Sequence, residues 1–226
     1  MPRLRGPAPN LPQGDAAWPI LNEGLFGDQA RGGHDRAPRP DAVPVDWRAV
    51  FGREAPRTLE IGFNRGRFLR DLAARWPDHD HVGIEVRRSY AWRVAELMAR
   101  DGGPRNVRLV WADAKLVVPA TFGPDGLAHV FVNFPDPWWK RRHEKRRLVD
   151  LDFARTLADR VAPGGRIWIK SDVLAIADEI AEALAAVPSL GPPVPFDVGD
   201  LPLTHRERAC LVTGLPISRY AVTRGA

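Results

Sequence analysis

The strongest chemical signal in this sequence is a seven-residue run, Asn133-Phe134-Pro135-Asp136-Pro137-Trp138-Trp139. Prolines stand on both sides of Asp136 and restrict the backbone. Phe134 and Asp136 each precede a proline, which biases both to extended conformations. A loop stiffened in this way can hold one carboxylate and one aromatic face in fixed positions. The alternative is a proline-rich turn with an ordinary surface Asp. That reading leaves the two Trp and two Pro around Asp136 unexplained.

Three other acids stand where a ligand could reach them. Glu60 is followed by Gly62 and Gly66, in Glu60-Ile-Gly62-Phe-Asn64-Arg-Gly66. Glycines in such a turn let the chain bend tightly and let a ligand approach the backbone. Glu85 closes a second apolar run, where a carboxylate can accept hydrogen bonds from ribose hydroxyls. Asp113, next to Ala114, follows a third, and its side chain could bond an adenine amino group. Taken singly, Glu85 also reads as a solvated strand-end charge and Glu60 as a strand end facing water. Together the three acids point to a nucleoside-like ligand. The dinucleotide fingerprint G-x-G-x-x-G is absent, because positions 64 and 67 are Asn and Arg, which argues against a nicotinamide cofactor.

These residues need elements to place them. Strands are expected at 57–62, 80–85, 107–111, 129–134 and 166–170. Helices are expected at 67–75, about 89–100, about 152–161 and 173–187, the third ended by Pro163-Gly164-Gly165. Residues from about 208 to 223 read as two further strands. Such alternation predicts an α/β fold, a mostly parallel sheet with helices on both faces. Ligands bind beyond the carboxyl ends of the strands in such sheets, where all four acids stand. Residues 1–45 are rich in Pro, Gly and Arg, show no periodicity, and read as a flexible arm; 46–226 read as one domain.

Composition narrows the class. The chain has 226 residues, 44% of them hydrophobic, with 33 Lys and Arg against 28 Asp and Glu and a formal charge of +5. That excess favours a polyanionic partner. The only cysteine, Cys210, cannot form an internal disulfide and has no metal-ligand spacing around it, so no metal is expected. No apolar run approaches a bilayer span and no secretory pattern follows Arg3 and Arg5, so a cytoplasmic protein without membrane contact is expected.

The order Glu-x-Gly-x-x-x-Gly, then Glu, then Asp resembles the Rossmann-like class I methyltransferase fold, which binds S-adenosylmethionine. Phe134-Pro-Asp-Pro-Trp138, then Lys140, then Arg142-His-Glu-Lys-Arg-Arg147 is similar to the bacterial tRNA (guanine-N7-)-methyltransferase family. So are Leu59-Glu-Ile-Gly62, Gly83-Ile-Glu85 and Asp113-Ala114. The resemblance spans about 57–187 well and the C-terminal part less well. It implies that Glu60, Gly62, Gly66, Glu85, Asp113, Ala114 and Asp136 border the S-adenosylmethionine pocket, with Asp136 catalytic. It also implies that Lys140, Asp172, Thr204 and Glu207 contact the tRNA, whose variable-loop guanine 46 would be the target.

The run 140–147 holds six Lys or Arg with one acid. A charge run is commonly only a solvated face. Beside a reactive loop, however, Lys140, Arg142, Lys145, Arg146 and Arg147 would meet phosphates flanking a target base. Trp138 and Trp139 could stack on the base or simply pack. Guanine N7 has a free lone pair and no proton, so its methylation needs alignment rather than a strong base.

The sequence departs from the family in two places. Asn64 stands where a glycine is common, and Asn is among the better substitutes at positive φ. Thr204-His-Arg-Glu207 keeps the Thr and Glu of a family motif without its aromatic residue, and Thr-x-x-Glu is equally a helix capping box. Asp172 likewise could cap a helix. The alternatives in function are a methyltransferase acting on another RNA or a protein, and an RNA-binding protein with a vestigial pocket. Monomer and homodimer are both compatible with the sequence.

Overall fold

A computed structural model describes residues 45–100, 103–136 and 147–226. Seven strands form one sheet: β1 (Arg57–Ile61), β2 (Asp80–Glu85), β3 (Val107–Trp111), β4 (Leu127–Asn133), β5 (Val161–Ser171), β6 (Val194–Pro195) and β7 (Ser218–Thr223). Their order is β3-β2-β1-β4-β5-β7-β6. The first five are parallel; β7 runs antiparallel to both β5 and β6. The strand order reverses beside β1, since β2 lies on one side of it and β4 on the other.

Among the described residues are seven α-helices, α1 (Trp47–Phe51), α2 (Arg67–Arg75), α3 (Arg88–Arg100), α4 (Ala114–Thr121), α5 (Leu151–Arg160), α6 (Leu174–Ala185) and α7 (His205–Thr213), and a short 3-10 helix at Val198–Asp200. Side chains alternate across a strand, so β1 sends Leu59 and Ile61 to one face and Glu60 to the other. Leu59 and Ile61 join Val130 and Val132 of β4, and Ile167 and Ile169 of β5, in the large core under α4, α5 and α6. On the opposite face Leu69 and Ala73 of α2 pack with Val94 and Met98 of α3. Phe68 and Leu72 of α2 close on Phe131 and Leu201. The expected sheet with helices on both faces is therefore present. No helix of the described residues is long and apolar enough to cross a membrane.

Three expectations need correction. The segment 208–223 holds one strand rather than two; its first half is α7, nucleated by a capping box at Thr204 and stopped by Gly214 at φ 69°. Pro163-Gly164-Gly165 does not end the helix. α5 stops at Arg160, and β5 begins at once. The Pro-Gly-Gly then lies inside the strand, where the register with β4 jumps from Leu127↔Val161 to His129↔Arg166. It is an outward excursion of the chain, with Gly164 N–H bonded to the Arg224 carbonyl at 2.9 Å. Phe134 is not extended but left-handed, at φ 50°. Its N–H is drawn to the Lys170 carbonyl at 2.7 Å, which turns the chain off the end of β4.

Candidate active site

The carboxyl ends of β1, β2 and β4 meet where the strand order reverses, the place where an open α/β sheet leaves a crevice for a ligand. The loop after β1 turns through three left-handed positions at every second residue, Gly62 (φ 79°), Asn64 (φ 49°) and Gly66 (φ 66°). A side chain at Gly66 would be both conformationally strained and 2.4 Å from Val94 Cγ1. At Gly62 the φ is equally demanding, but the missing Cβ would meet open space. Gly66 is thus fixed by packing, and Gly62 leaves room on the crevice side. Asn64 adopts the positive φ that a glycine would, and its N–H donates to Glu85 Oε2 at 2.9 Å.

Glu85 is 5% exposed at the end of β2. Its other oxygen accepts the Arg87 N–H at 2.8 Å. Burial raises its pKa, partly countered by these two backbone N–H groups and the Arg87 charge. The Arg87 side chain crosses to Asp136 Oδ2 at 2.6 Å. This ion pair joins the loops after β2 and β4 across the end of β1. Desolvation pulls the Arg87 pKa down, but Asp136 and Glu85 more than offset it, and the net direction is up. Arg87 escaped the sequence reading, although its place two residues after a strand-end acid was a signal. Asp136 is exposed, beyond the half-buried Phe134 and Pro135.

Glu60 is the least expected group. It lies on the α2 face of β1, 2% exposed, and Oε1 accepts from Asn133 Nδ2 at 3.0 Å. Glu60 Oε2 and Asn133 Oδ1 are both buried with no hydrogen-bond partner. Burial pushes the Glu60 carboxyl up to about 7, with Asn133 and the charge of Lys170 opposing. Two orphaned acceptors at a strand end call for a ligand that donates N–H or O–H bonds.

A polar strip continues from there across the sheet. Lys170 of β5 is 0% exposed, and its Nζ donates to Glu207 Oε2 at 3.0 Å. Arg219 of β7, register partner of Lys170, donates to Glu207 Oε1 through Nε at 3.1 Å and Nη2 at 3.0 Å. Thr204 Oγ1 accepts the Glu207 N–H at 2.9 Å, closing the capping box of α7. Of the two roles considered for Thr204 and Glu207, the cap is the one that the geometry forms. Both residues are buried.

The remaining expected site residues are placed as follows. Asp113 is the N-cap of α4, its side chain accepting from Lys115 N–H at 2.9 Å, with Ala114 buried behind it. Asp172 does not cap α6; Ser171 Oγ takes the Val173 N–H, and Asp172 pairs with Arg206 instead. Arg147 bridges to Glu179 at 3.1 Å. Lys140, Arg142, Lys145 and Arg146 lie outside the described residues, as do Pro137, Trp138, Trp139 and residues 1–44.

The geometry can be set beside known proteins. A family model described as "Putative methyltransferase" matches residues 54–192. A tRNA (guanine-N(7)-)-methyltransferase of Myxococcus xanthus is 38% identical over 192 residues, which is 81% of this chain and 91% of that protein. One from Alkalilimnicola ehrlichii is 41% identical, over 77% of this chain and 75% of that one. Among solved structures, the 16S rRNA methyltransferase KamB aligns with a TM-score of 0.61 at 15% identity, covering 81% of this chain and 95% of that one. At that identity the likeness is one of fold.

Proposed function

The chain belongs to the tRNA (guanine-N(7)-)-methyltransferase family, and on that premise we propose that it transfers a methyl group from S-adenosylmethionine to N7 of a guanine in tRNA, at position 46 of the variable loop, in the cytoplasm. The observation that carries this reading is the acceptor-lined crevice at the strand-order reversal, with Asp136 at its mouth.

The residues present fit the methyl donor. Glu60 Oε2 and Asn133 Oδ1 are acceptors without donors, suited to an ammonium group. Glu85 is held by two backbone N–H groups and keeps lone pairs for ribose hydroxyls. Gly62 keeps the loop open towards the ligand. Gly66 shapes that loop, and Asp113 and Ala114 would border the adenine. When bound, the donor supplies an electrophilic methyl group on sulfur.

The chain's own task is alignment. Asp136 accepts hydrogen bonds from guanine N1–H and the exocyclic amino group, which orients the ring and enriches electron density at N7. To do so it exchanges its Arg87 partner for the base edge. The left-handed Phe134 stores strain of about 1–3 kcal/mol and sets the loop that aims Asp136. Lys140, Arg142, Lys145, Arg146 and Arg147 follow that loop in sequence and would hold phosphates beside the target base. Asp172 would contact the tRNA, and Thr204 and Glu207 would support that contact through the cap and the buried ion pairs.

Replacing Asp136 with Ala separates binding from chemistry. S-adenosylmethionine affinity by calorimetry should hold, while methyl transfer drops by about a hundred-fold or more, as for loss of a key positioning group. Turnover near the wild-type rate would remove Asp136 from the mechanism.

A further inference from the structure

Glu60 and Asn133 meet at the carboxyl ends of β1 and β4 with too few donors between them. Asn133 Nδ2 donates to Glu60 Oε1, while Glu60 Oε2 and Asn133 Oδ1 are buried with no partner. An ionised carboxyl only accepts, so in that form neither orphaned oxygen can serve the other. A protonated carboxyl carries an O–H, which turns Oε2 into a donor. The groups around Glu60 favour the same state. β2 contributes Glu85, an acid that opposes a second negative charge. β5 contributes Lys170, whose Nζ is already engaged by Glu207 Oε2 at 3.0 Å and by the Pro202 carbonyl at 3.4 Å. Beyond Lys170, Glu207 of α7 and Arg219 of β7 pair with each other. The buried face of α2 is apolar, made of Phe68, Leu69, Leu72 and Ala73. A buried carboxylate without its own counter-charge is costly and takes up a proton instead. Burial accordingly pushes the Glu60 carboxyl up to about 7.

We propose that Glu60 holds a proton in the free protein on the acid side of neutrality and gives it up to solvent when the ammonium of S-adenosylmethionine enters, so that donor binding and proton release are one event. The inference rests on the placing of that ammonium at Glu60 and Asn133 given above. An ammonium brings N–H donors for both orphaned oxygens and the counter-charge that Glu60 lacks. The balance is closed: Glu60 loses one proton to solvent, the ammonium keeps all of its own, and one charge pair forms. Affinity for the donor therefore rises with pH while Glu60 titrates. With a carboxyl at about 7, S-adenosylmethionine should bind about five-fold more tightly at pH 7 than at pH 6.

The test is titration calorimetry of the whole chain without RNA, at pH 6 and pH 7, in buffers of different ionisation enthalpy. The ligands are S-adenosylmethionine and methylthioadenosine, which keeps the nucleoside but lacks the amino acid. With S-adenosylmethionine the buffer dependence should report about 0.9 proton released at pH 6 and about half a proton at pH 7. Methylthioadenosine should release none, and Glu60→Gln should release none with either ligand. If Glu60→Gln keeps methylthioadenosine but loses S-adenosylmethionine, the ammonium is still assigned to Glu60, and the wild-type release carries the proposal. Release with methylthioadenosine would overturn it by moving the proton to Glu85, whose carboxyl is also raised by burial. Release from Glu60→Gln at the wild-type level would overturn it as well. S-adenosylmethionine binding with the same heat in every buffer would overturn the exchange and leave the donor site standing. A chain that binds neither ligand would remove that site and the exchange together.

Discussion

Glu60 is the residue whose environment is most at odds with its chemistry. A carboxyl on a central strand, 2% exposed, has one oxygen bonded to Asn133 and the other bonded to nothing. Its pKa rises from 4.5 to about 7 because burial disfavours the charge. The folded state therefore holds this proton more tightly than the unfolded chain does. The stability it contributes is present below pH 4.5 and is lost as pH rises through 7, by about 3 kcal/mol in all. Glu60→Gln keeps a neutral hydrogen-bonding group at every pH. Without ligand, its Tm should match the wild type near pH 4 and exceed it by several degrees near pH 8. Equal Tm at both values would mean that Glu60 is not the strained carboxyl described. The sequence showed Glu60 as an acid in an apolar strand, and it showed Asn64 as a stand-in for glycine. It could not show Arg87 reaching Asp136, because that ion pair links residues 49 positions apart whose approach depends on the parallel order of β2, β1 and β4.

At the scale of elements, α7 shows how one helix is fixed by a single buried acid. Glu207 closes the capping box and receives both Lys170 and Arg219. Glu207→Ala would leave two cations without their anion and should destabilise the chain by about 3–5 kcal/mol, read as a lowered denaturation midpoint. Thr204→Ala, which removes only the cap hydroxyl, should cost about 1 kcal/mol. Equal costs would show that the ion pairs add nothing beyond the cap. The period of apolar residues made β2 and β3 legible to the residue. α7 was not, because Leu211 and Val212 look like strand residues yet are exposed on the helix. α4 escaped notice because Pro119 interrupts its pattern, although Asp113 gives it an ordinary start. That Asp was read for its chemistry and not for its capping.

At the scale of the molecule, the sheet gathers at one edge what the chain spreads over some 75 residues, from Glu60 to Asp136. Because β1 lies between β2 and β4, Glu60, Glu85 and Asp136 surround one crevice. The parallel αβ alternation made this edge predictable from sequence. The polar strip from Glu60 to Arg219 was not, since it needs the antiparallel β7 beside β5. The account stands or falls on what the crevice does to RNA. The direct measurement is to incubate the purified chain with S-adenosylmethionine and a tRNA transcript and to map 7-methylguanosine by chain cleavage. The account predicts one modified guanine, at position 46, that disappears with Asp136→Ala. A chain that binds the donor but leaves N7 of every tRNA guanine unmethylated would contradict it.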